Sequence, residues 1–211
     1  GLQGEEYPLI TYTDGKNAYQ FKDFPASENM TISLTPLKEE ELYDVIEGLV
    51  GPGGVLGIVV NTIGRAQRIG KELMERYGDE VVSVLHSSFT AIDRVKKENE
   101  LMEIIGKDSS KKGVRPDKKI IVGTQVIEQS LDIDFDVMIS DLAPVDLLIQ
   151  RAGRLHRHKE TVRPEHLLDA RLYIMGMSNE EYESGSEHIY GEYLLRETKK
   201  NLKDTLFFPA D

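Results

Sequence analysis

From about residue 30 onward, short apolar runs alternate with amphipathic stretches. Thr31–Leu34 predicts a strand. Pro36 suits a first helical turn, and Leu42, Val45, Ile46 and Leu49 recur at three and four, so Leu37–Val50 predicts a helix stopped by Gly51-Pro52-Gly53-Gly54. Val55–Val60 is unbroken apolar sequence, the pattern of a strand covered on both faces. Thr62–Tyr77 predicts a helix with Ile69, Leu73 and Met74 inward, ended by Gly78; Val81–Leu85 predicts a strand and Ala91–Ile105 a helix. Asp108–Asp117, rich in Ser, Lys, Gly and Pro, reads as a mobile loop. Lys119–Val122, Val137–Ser140 and Leu172–Met175 complete the strand series, with a helix near Val145–Arg154 between the last two. A further helix is expected over roughly Glu187–Leu202, and Leu9–Tyr12 suits a short edge strand. Strand–helix alternation of this kind predicts an α/β fold, a parallel sheet with helices on both faces, in a single domain.

Composition narrows the possibilities. The 211 residues, 39% hydrophobic with 18 glycines, can bury one sizeable core. Cysteine is absent, which excludes disulfides, thiolate nucleophiles and cysteine-ligated zinc and makes a cytoplasmic location the expectation. The first six residues lack a basic stretch leading into an apolar one, so no signal peptide is visible. The longest uncharged run, Gly48–Gly64, is interrupted by glycines, Pro52, Asn61 and Thr62, and no membrane span is expected.

The net charge of −11 disfavours a general nucleic-acid coat. The acid is uneven, however. Residues 1–50 hold ten Asp/Glu against three Lys/Arg, whereas 94–119 hold nine basic against five acidic and 150–171 six against three. An acidic shell with two basic islands suits either a local polyanion contact or a solvated surface.

Several candidate sites fail on spacing. No G-x-x-x-x-G-K-[ST] loop occurs, and the glycines of 51–57 read as a helix-to-strand turn. Asp132-Ile-Asp134-Phe-Asp136 opens like a calcium loop, but Val137 and Ala143 occupy the places of its Gly and Glu, so it reads as a strand leading out of a loop. His156 and His158 lack a carboxylate at ligand spacing, so no metal site is expected. Gln150-Arg-Ala-Gly-Arg154-Leu-His-Arg157 is different in kind. Its spacing makes Arg154 and Arg157 neighbours, with Gln150 one turn before and Gly153 removing a side chain beside them. Planar, always-charged donors so placed suit a phosphoryl group developing charge; they equally suit a surface helix with ordinary salt bridges.

These residues also carry a resemblance. Gln150–Arg157 resembles motif VI of superfamily 2 helicases, Gly123-Thr-Gln-Val-Ile-Glu-Gln-Ser-Leu-Asp-Ile-Asp134 resembles their motif V, and Ile58-Val-Val-Asn61-Thr62 resembles motif IV; His86 with Arg94 matches a further element of that lobe. The wording of T-Q-V-I-E-Q-S-L-D-I-D-F-D and D-L-A-P-V-D-L-L-I-Q-R-A-G-R-L-H-R-H is similar to the CRISPR-associated helicase–nuclease of type I interference systems, over about residues 7–175.

The resemblance implies a RecA-like second helicase lobe over 31–176, led into by 1–30 and followed by a helical extension over 177–211. The first lobe, with its phosphate loop and Mg²⁺-holding Asp-Glu pair, and a His-Asp nuclease domain would lie elsewhere, so the chain is expected to be a fragment or split subunit, inactive alone. It implies ATP and Mg²⁺, the latter held mainly by the first lobe, and as partners single-stranded DNA, the first lobe, the nuclease domain and the CRISPR surveillance complex. Carried over, Arg154 and Arg157 would be arginine fingers with Gln150 near the γ-phosphate; Asp132 and Gly153 would line the nucleotide. Asn61, Thr62 and Thr124 would touch the DNA backbone, and Gln125, Glu128, Gln129 and Ser130 would couple nucleotide state to strand grip during 3′–5′ translocation. The alternatives are the corresponding lobe of another superfamily 2 DNA or RNA helicase, or a non-catalytic nucleic-acid-binding or protein-interaction module. Gln150, where RNA-type DEAD-box proteins usually have His, tells against the RNA branch.

Overall fold

The computed structural model describes residues 9–21, 30–128, 132–177 and 185–208. The chain divides into two compact units, residues 1–30 with 207–211, and residues 31–206. In the first, β1 (Ile10–Thr13) and β2 (Ala18–Phe21) pair antiparallel. Asp14 shapes their turn by accepting the N–H groups of Lys16 and Asn17 at 2.9 and 2.7 Å, and Gly15 takes the positive φ of 89° that the turn needs.

The second unit follows the alternation of the sequence. The elements that follow along the chain are β3 (Met30–Leu37), α1 (Leu42–Val50), β4 (Gly54–Val59), α2 (Ile63–Tyr77), β5 (Val82–Leu85), α3 (Ala91–Ile105), α4 (Ser109–Lys112), β6 (Lys118–Gly123), β7 (Val137–Asp141), α5 (Val145–Ala152), β8 (Arg171–Met175), α6 (Ser186–Tyr190), α7 (Glu192–Asn201) and β9 (Thr205–Phe208), whose last two residues group with the first unit. The strands form one sheet in the order β5-β6-β4-β7-β8-β3-β9, and every pair from β5 to β3 is parallel. This is the α/β sheet expected from the sequence.

β4 and β7, in the middle, are buried at every residue, which is why their sequences are continuous rather than alternating. Leu42, Ile46 and Leu49 of α1 and Ala66, Ile69 and Leu73 of α2 share one core with Leu56, Ile58, Ile120, Val122, Val137 and Ile139. Thr62 caps α2 by accepting the Arg65 N–H, and Gly78 at φ 85° ends it. At Gly70 the helix lies so close to β5 that a Cβ would stand 2.3 Å from Cγ2 of Val84.

Four local expectations are corrected. Pro36 lies in β3, one residue from its end, where a missing N–H is tolerated; α1 starts only at Leu42, after a short turn of 3-10 helix over Glu39–Glu41. The helix expected to reach Arg154 stops at Ala152. The loop over 108–117 contains the short helix α4, closed by Gly113 in the left-handed region at φ 67°. The helix expected over 187–202 is broken at Gly191, φ 79°, into α6 and α7. β2 and β9 lie outside the strands that the sequence pattern predicts. α6, α7 and the strands from β4 to β8 all belong to the 31–206 unit.

Candidate nucleotide and nucleic-acid interface

Parallel pairing brings the carboxyl ends of β4, β6 and β7 to one edge, the side on which open α/β sheets place ligands. There β4 runs out toward Asn61 and Thr62, β6 into Thr124, and β7 ends on Asp141.

Arg151 of α5 organises this edge, although the sequence did not single it out from its neighbours. Its side chain is fully buried. Nε donates to Glu128 Oε2 at 2.6 Å, Nη1 to Ser140 Oγ at 2.8 Å and to the Asp141 carbonyl at 3.1 Å, and Nη2 to Asn61 Oδ1 and Tyr190 Oη at 3.4 Å each. A guanidinium inside a fold is tolerable when a carboxylate and further acceptors replace its water in this way.

Asn61 is equally committed to the interior. Its N–H donates to Asp141 Oδ2 at 2.9 Å and its Nδ2 to the Leu142 carbonyl and Ser186 Oγ, both at 2.8 Å. Asp141 Oδ1 receives Nε of Arg65 at 3.1 Å, and the same guanidinium forms a two-pronged bond to Glu39. That bond, outweighing partial burial, holds the Glu39 carboxyl below its ordinary pKa.

Asn61 and Thr124 are each 2% exposed; of the three residues expected at the DNA backbone, Thr62 is the one that is half-buried. Gln125 donates from Nε2 to Tyr190 Oη at 3.0 Å and to the Asn61 carbonyl at 3.4 Å. Gln129 and Ser130 lie outside the described residues.

Because α5 ends at Ala152, Arg154 and Arg157 stand on the turns that follow it rather than on a helical face. Arg154 Nη2 donates to the Glu128 carbonyl at 2.9 Å, and its buried Nε has no hydrogen-bond partner among the described residues. Burial first, and then the charge of Arg157, lowers the pKa of Arg154 against the pull of Asp132 and Glu128.

Arg157 is exposed. Its Nε donates to Asp132 Oδ1 at 2.6 Å and its Nη1 to the Gly153 carbonyl at 3.3 Å. Burial raises the Asp132 carboxyl, but the bond from Arg157 and the charges of His158, Arg157 and Arg154 bring the net shift below its ordinary value. Gln150 is exposed on α5. Gly153 has φ −64°, and a Cβ there would meet ordinary contacts at 3.5 Å, so nothing among the described residues demands glycine at that position.

A second buried cluster fixes the same segment from the amino edge. Arg163 bonds Asp134 at 2.8 Å and Asp136 at 2.5 Å, Arg115 bonds Asp136 at 2.8 Å, and Asp134 Oδ1 accepts the backbone N–H of Arg157 at 2.9 Å. The alternating Asp residues that resembled a calcium loop are thus engaged by arginines. Among the described residues, no three His, Asp or Glu side chains converge as a metal site.

Residues 52–160 match the family described as CRISPR-associated nuclease/helicase Cas3, C-terminal. The chain belongs to the Cas3 family. It is 48% identical over 208 residues to the CRISPR-associated nuclease/helicase Cas3 of Streptococcus thermophilus, covering 98% of this chain and 22% of that protein. It superposes on the crystal structure of T. fusca Cas3-ATP with a TM-score of 0.75 at 28% identity, covering 93% of this chain and 25% of that one. A chain in a pre-nicking CRISPR RNA-guided surveillance complex matches with a TM-score of 0.70 at 27% identity, covering 86% of this chain and 24% of that one. The chain thus spans about a quarter of the length of the Cas3 proteins it matches. Its sheet is the RecA-like fold of the Cas3 C-terminal helicase domain. No helix among the described residues is long and apolar enough to cross a membrane.

Proposed function

We propose that this Cas3 domain is the second motor lobe of an ATP-driven DNA helicase in CRISPR interference, pulling single-stranded DNA 3′ to 5′ so that a nuclease domain can degrade it. One observation carries the reading: three arginines from a single stretch each hold a different point of the loop that follows β6. Arg151 holds the Glu128 carboxylate, Arg154 the Glu128 carbonyl and Arg157 the Asp132 carboxylate. Any group that draws Arg154 or Arg157 toward a phosphate must therefore pull on this loop, which is a physical route from nucleotide to strand.

In this reading Arg154 and Arg157 neutralise charge developing on the γ-phosphate, Gln150 lies beside it, and Asp132 and Gly153 line the nucleotide. Thr62 offers a strand contact from the surface of the carboxyl edge. Asn61 and Thr124 shape that edge and are reached as the loop moves, and Gln125, Glu128, Gln129 and Ser130 transmit the motion. Contacts to the DNA backbone would be sequence-tolerant and salt-sensitive.

ATP completes its site against a first lobe, which supplies the phosphate loop and the carboxylates for Mg²⁺. The donor set of this chain is cationic where the phosphates would lie and suits the anion rather than the metal. Residues 1–30 lead in from that lobe, 31–176 form the second lobe, and 177–211 extend it. The likeness to a chain of a pre-nicking surveillance complex supports such an assembly as a partner.

The test compares ATP hydrolysis by this chain, by the complete two-lobe protein and by its Arg154→Ala variant, with and without single-stranded DNA. The expected result is no turnover from the chain alone, DNA-stimulated turnover from the complete protein, and loss of that turnover with ATP binding retained in the variant. Turnover by the isolated chain would refute the half-site, and undiminished turnover in Arg154→Ala would refute the finger.

A further inference from the structure

The segment after β8 matched no sequence block, yet it touches all three motifs at the carboxyl edge. α6 is a short helix between two glycines of positive φ, Gly185 at 100° and Gly191 at 79°. Gly185 lies against Thr62, where a Cβ would come within 3.0 Å of Cγ2. Ser186, 2% exposed, accepts a bond from Asn61 Nδ2 at 2.8 Å. One turn later, on the same face, Tyr190 Oη accepts from Gln125 Nε2 at 3.0 Å and from Arg151 Nη2 at 3.4 Å. α7 follows and buries Leu195 and Thr198.

We infer that Tyr190 is a positioning residue for the motor, its phenol oxygen linking the loop that senses the strand to Arg151, at the end of α5 just before the turns that carry Arg154 and Arg157. This rests on the function proposed above. The oxygen receives one donor from the residue after Thr124 and one from Arg151, and Arg151 in turn grips Glu128, whose carbonyl holds Arg154. Displacement of Gln125 therefore reaches Arg154 through one oxygen and one buried ion pair. The role of Tyr190 is to set the geometry of Gln125 and Arg151, the two groups its oxygen bonds. The helical extension is, by this reasoning, part of the motor.

The test uses the complete two-lobe protein. Tyr190→Phe keeps the ring and removes the acceptor; Tyr193→Phe, on an exposed ring of α7, is the control. The expected result is a fall of about three- to tenfold in kcat at saturating single-stranded DNA, the scale of one or two lost hydrogen bonds. KM for ATP and the half-saturating DNA concentration should stay within about twofold, and the control should match wild type. Gln125→Met should cause a similar fall, and the double variant no more than either alone, because both remove one link.

A stimulated kcat within twofold of wild type in Tyr190→Phe would overturn the inference. So would a fall in kcat accompanied in step by worse KM, weaker DNA binding and lower thermal stability, since that would mark a structural brace. Arg154→Ala, measured alongside, separates the two claims. If it abolishes turnover while Tyr190→Phe does not alter kcat, the motor reading stands and the positioning role falls; if it leaves turnover intact, the motor reading itself fails.

Discussion

Arg151 and Glu128, twenty-three residues apart in sequence, form an ion pair 2.6 Å long in which neither side chain is exposed. The pair joins the last turn of α5 to the loop that follows β6, across the carboxyl edge of the sheet. Two buried charges of this kind add little net stability, because desolvation offsets their attraction, but they make the arrangement hard to break on one side only.

That asymmetry gives a stability prediction. Glu128→Gln should destabilise the 31–206 unit by about 3–5 kcal/mol, because Arg151 is left as an uncompensated buried charge. Replacing both partners, as Arg151→Met with Glu128→Leu, should recover most of the loss. Urea unfolding midpoints measure both, and a single variant as stable as wild type would show that the pair does not constrain the fold.

The approach of α2 to β5 predicts a steric cost. Gly70→Ala should lower stability by about 1–3 kcal/mol despite the better helix propensity of alanine, because its Cβ would lie 2.3 Å from a Val84 methyl group. Val84→Ala in the same chain should relieve the clash. Thermal unfolding of the single and double variants decides the matter; an unaffected Gly70→Ala would mean the helix shifts freely.

His156 supplies a pH dependence. It holds the positive φ of 47°, and its Nε2 lies 3.0 Å from the Asp136 carbonyl. Burial, followed by the charge of Arg163, lowers its pKa below the ordinary 6.5, against smaller pulls from Asp136 and Asp134. The folded chain therefore binds this proton less readily than the unfolded chain does. The associated stability is present above pH 6.5 and lost as the pH falls through the lowered value. His156→Asn, which tolerates the same backbone, should show a shallower loss of stability between pH 7 and pH 5. Identical slopes in the two chains would rule His156 out as a contributor.

Thr124 supplies a functional prediction. Thr124→Ala in the complete protein should weaken single-stranded DNA binding several-fold, about one hydrogen bond's worth, and reduce DNA-stimulated hydrolysis accordingly. Unchanged DNA affinity and stimulation would remove Thr124 from the strand contact and leave it a buried wall of the edge.

Most of the sheet was legible because a strand buried on both faces must be apolar throughout, as Val55–Val60 is, and a covered helix must repeat at three and four, as Leu42–Leu49 does. The misreadings have local causes. Pro36 suits a helix start as well as a strand end, and its pairing opposite Ile174 resolves that ambiguity. Gly191 does not forbid a helix by itself, and only its φ of 79° in the structure separates α6 from α7.

By itself the sequence determined the periodicities, and hence the α/β class, together with the stretch of arginines and the carboxylate at Asp132 that lies 2.6 Å from Arg157. Only the tertiary structure decided which charges are interior. Arg151 and Arg154 are alike along the chain, and burial separates the arginine locked on Glu128 from the one poised beside it. Tyr190 and Ser186 carry no motif at all; they join the edge because parallel strands gather distant loops at one end, and α6 closes over them. Local pattern records which face of an element seeks the core, whereas pairing across the core depends on contacts between residues that the chain keeps far apart.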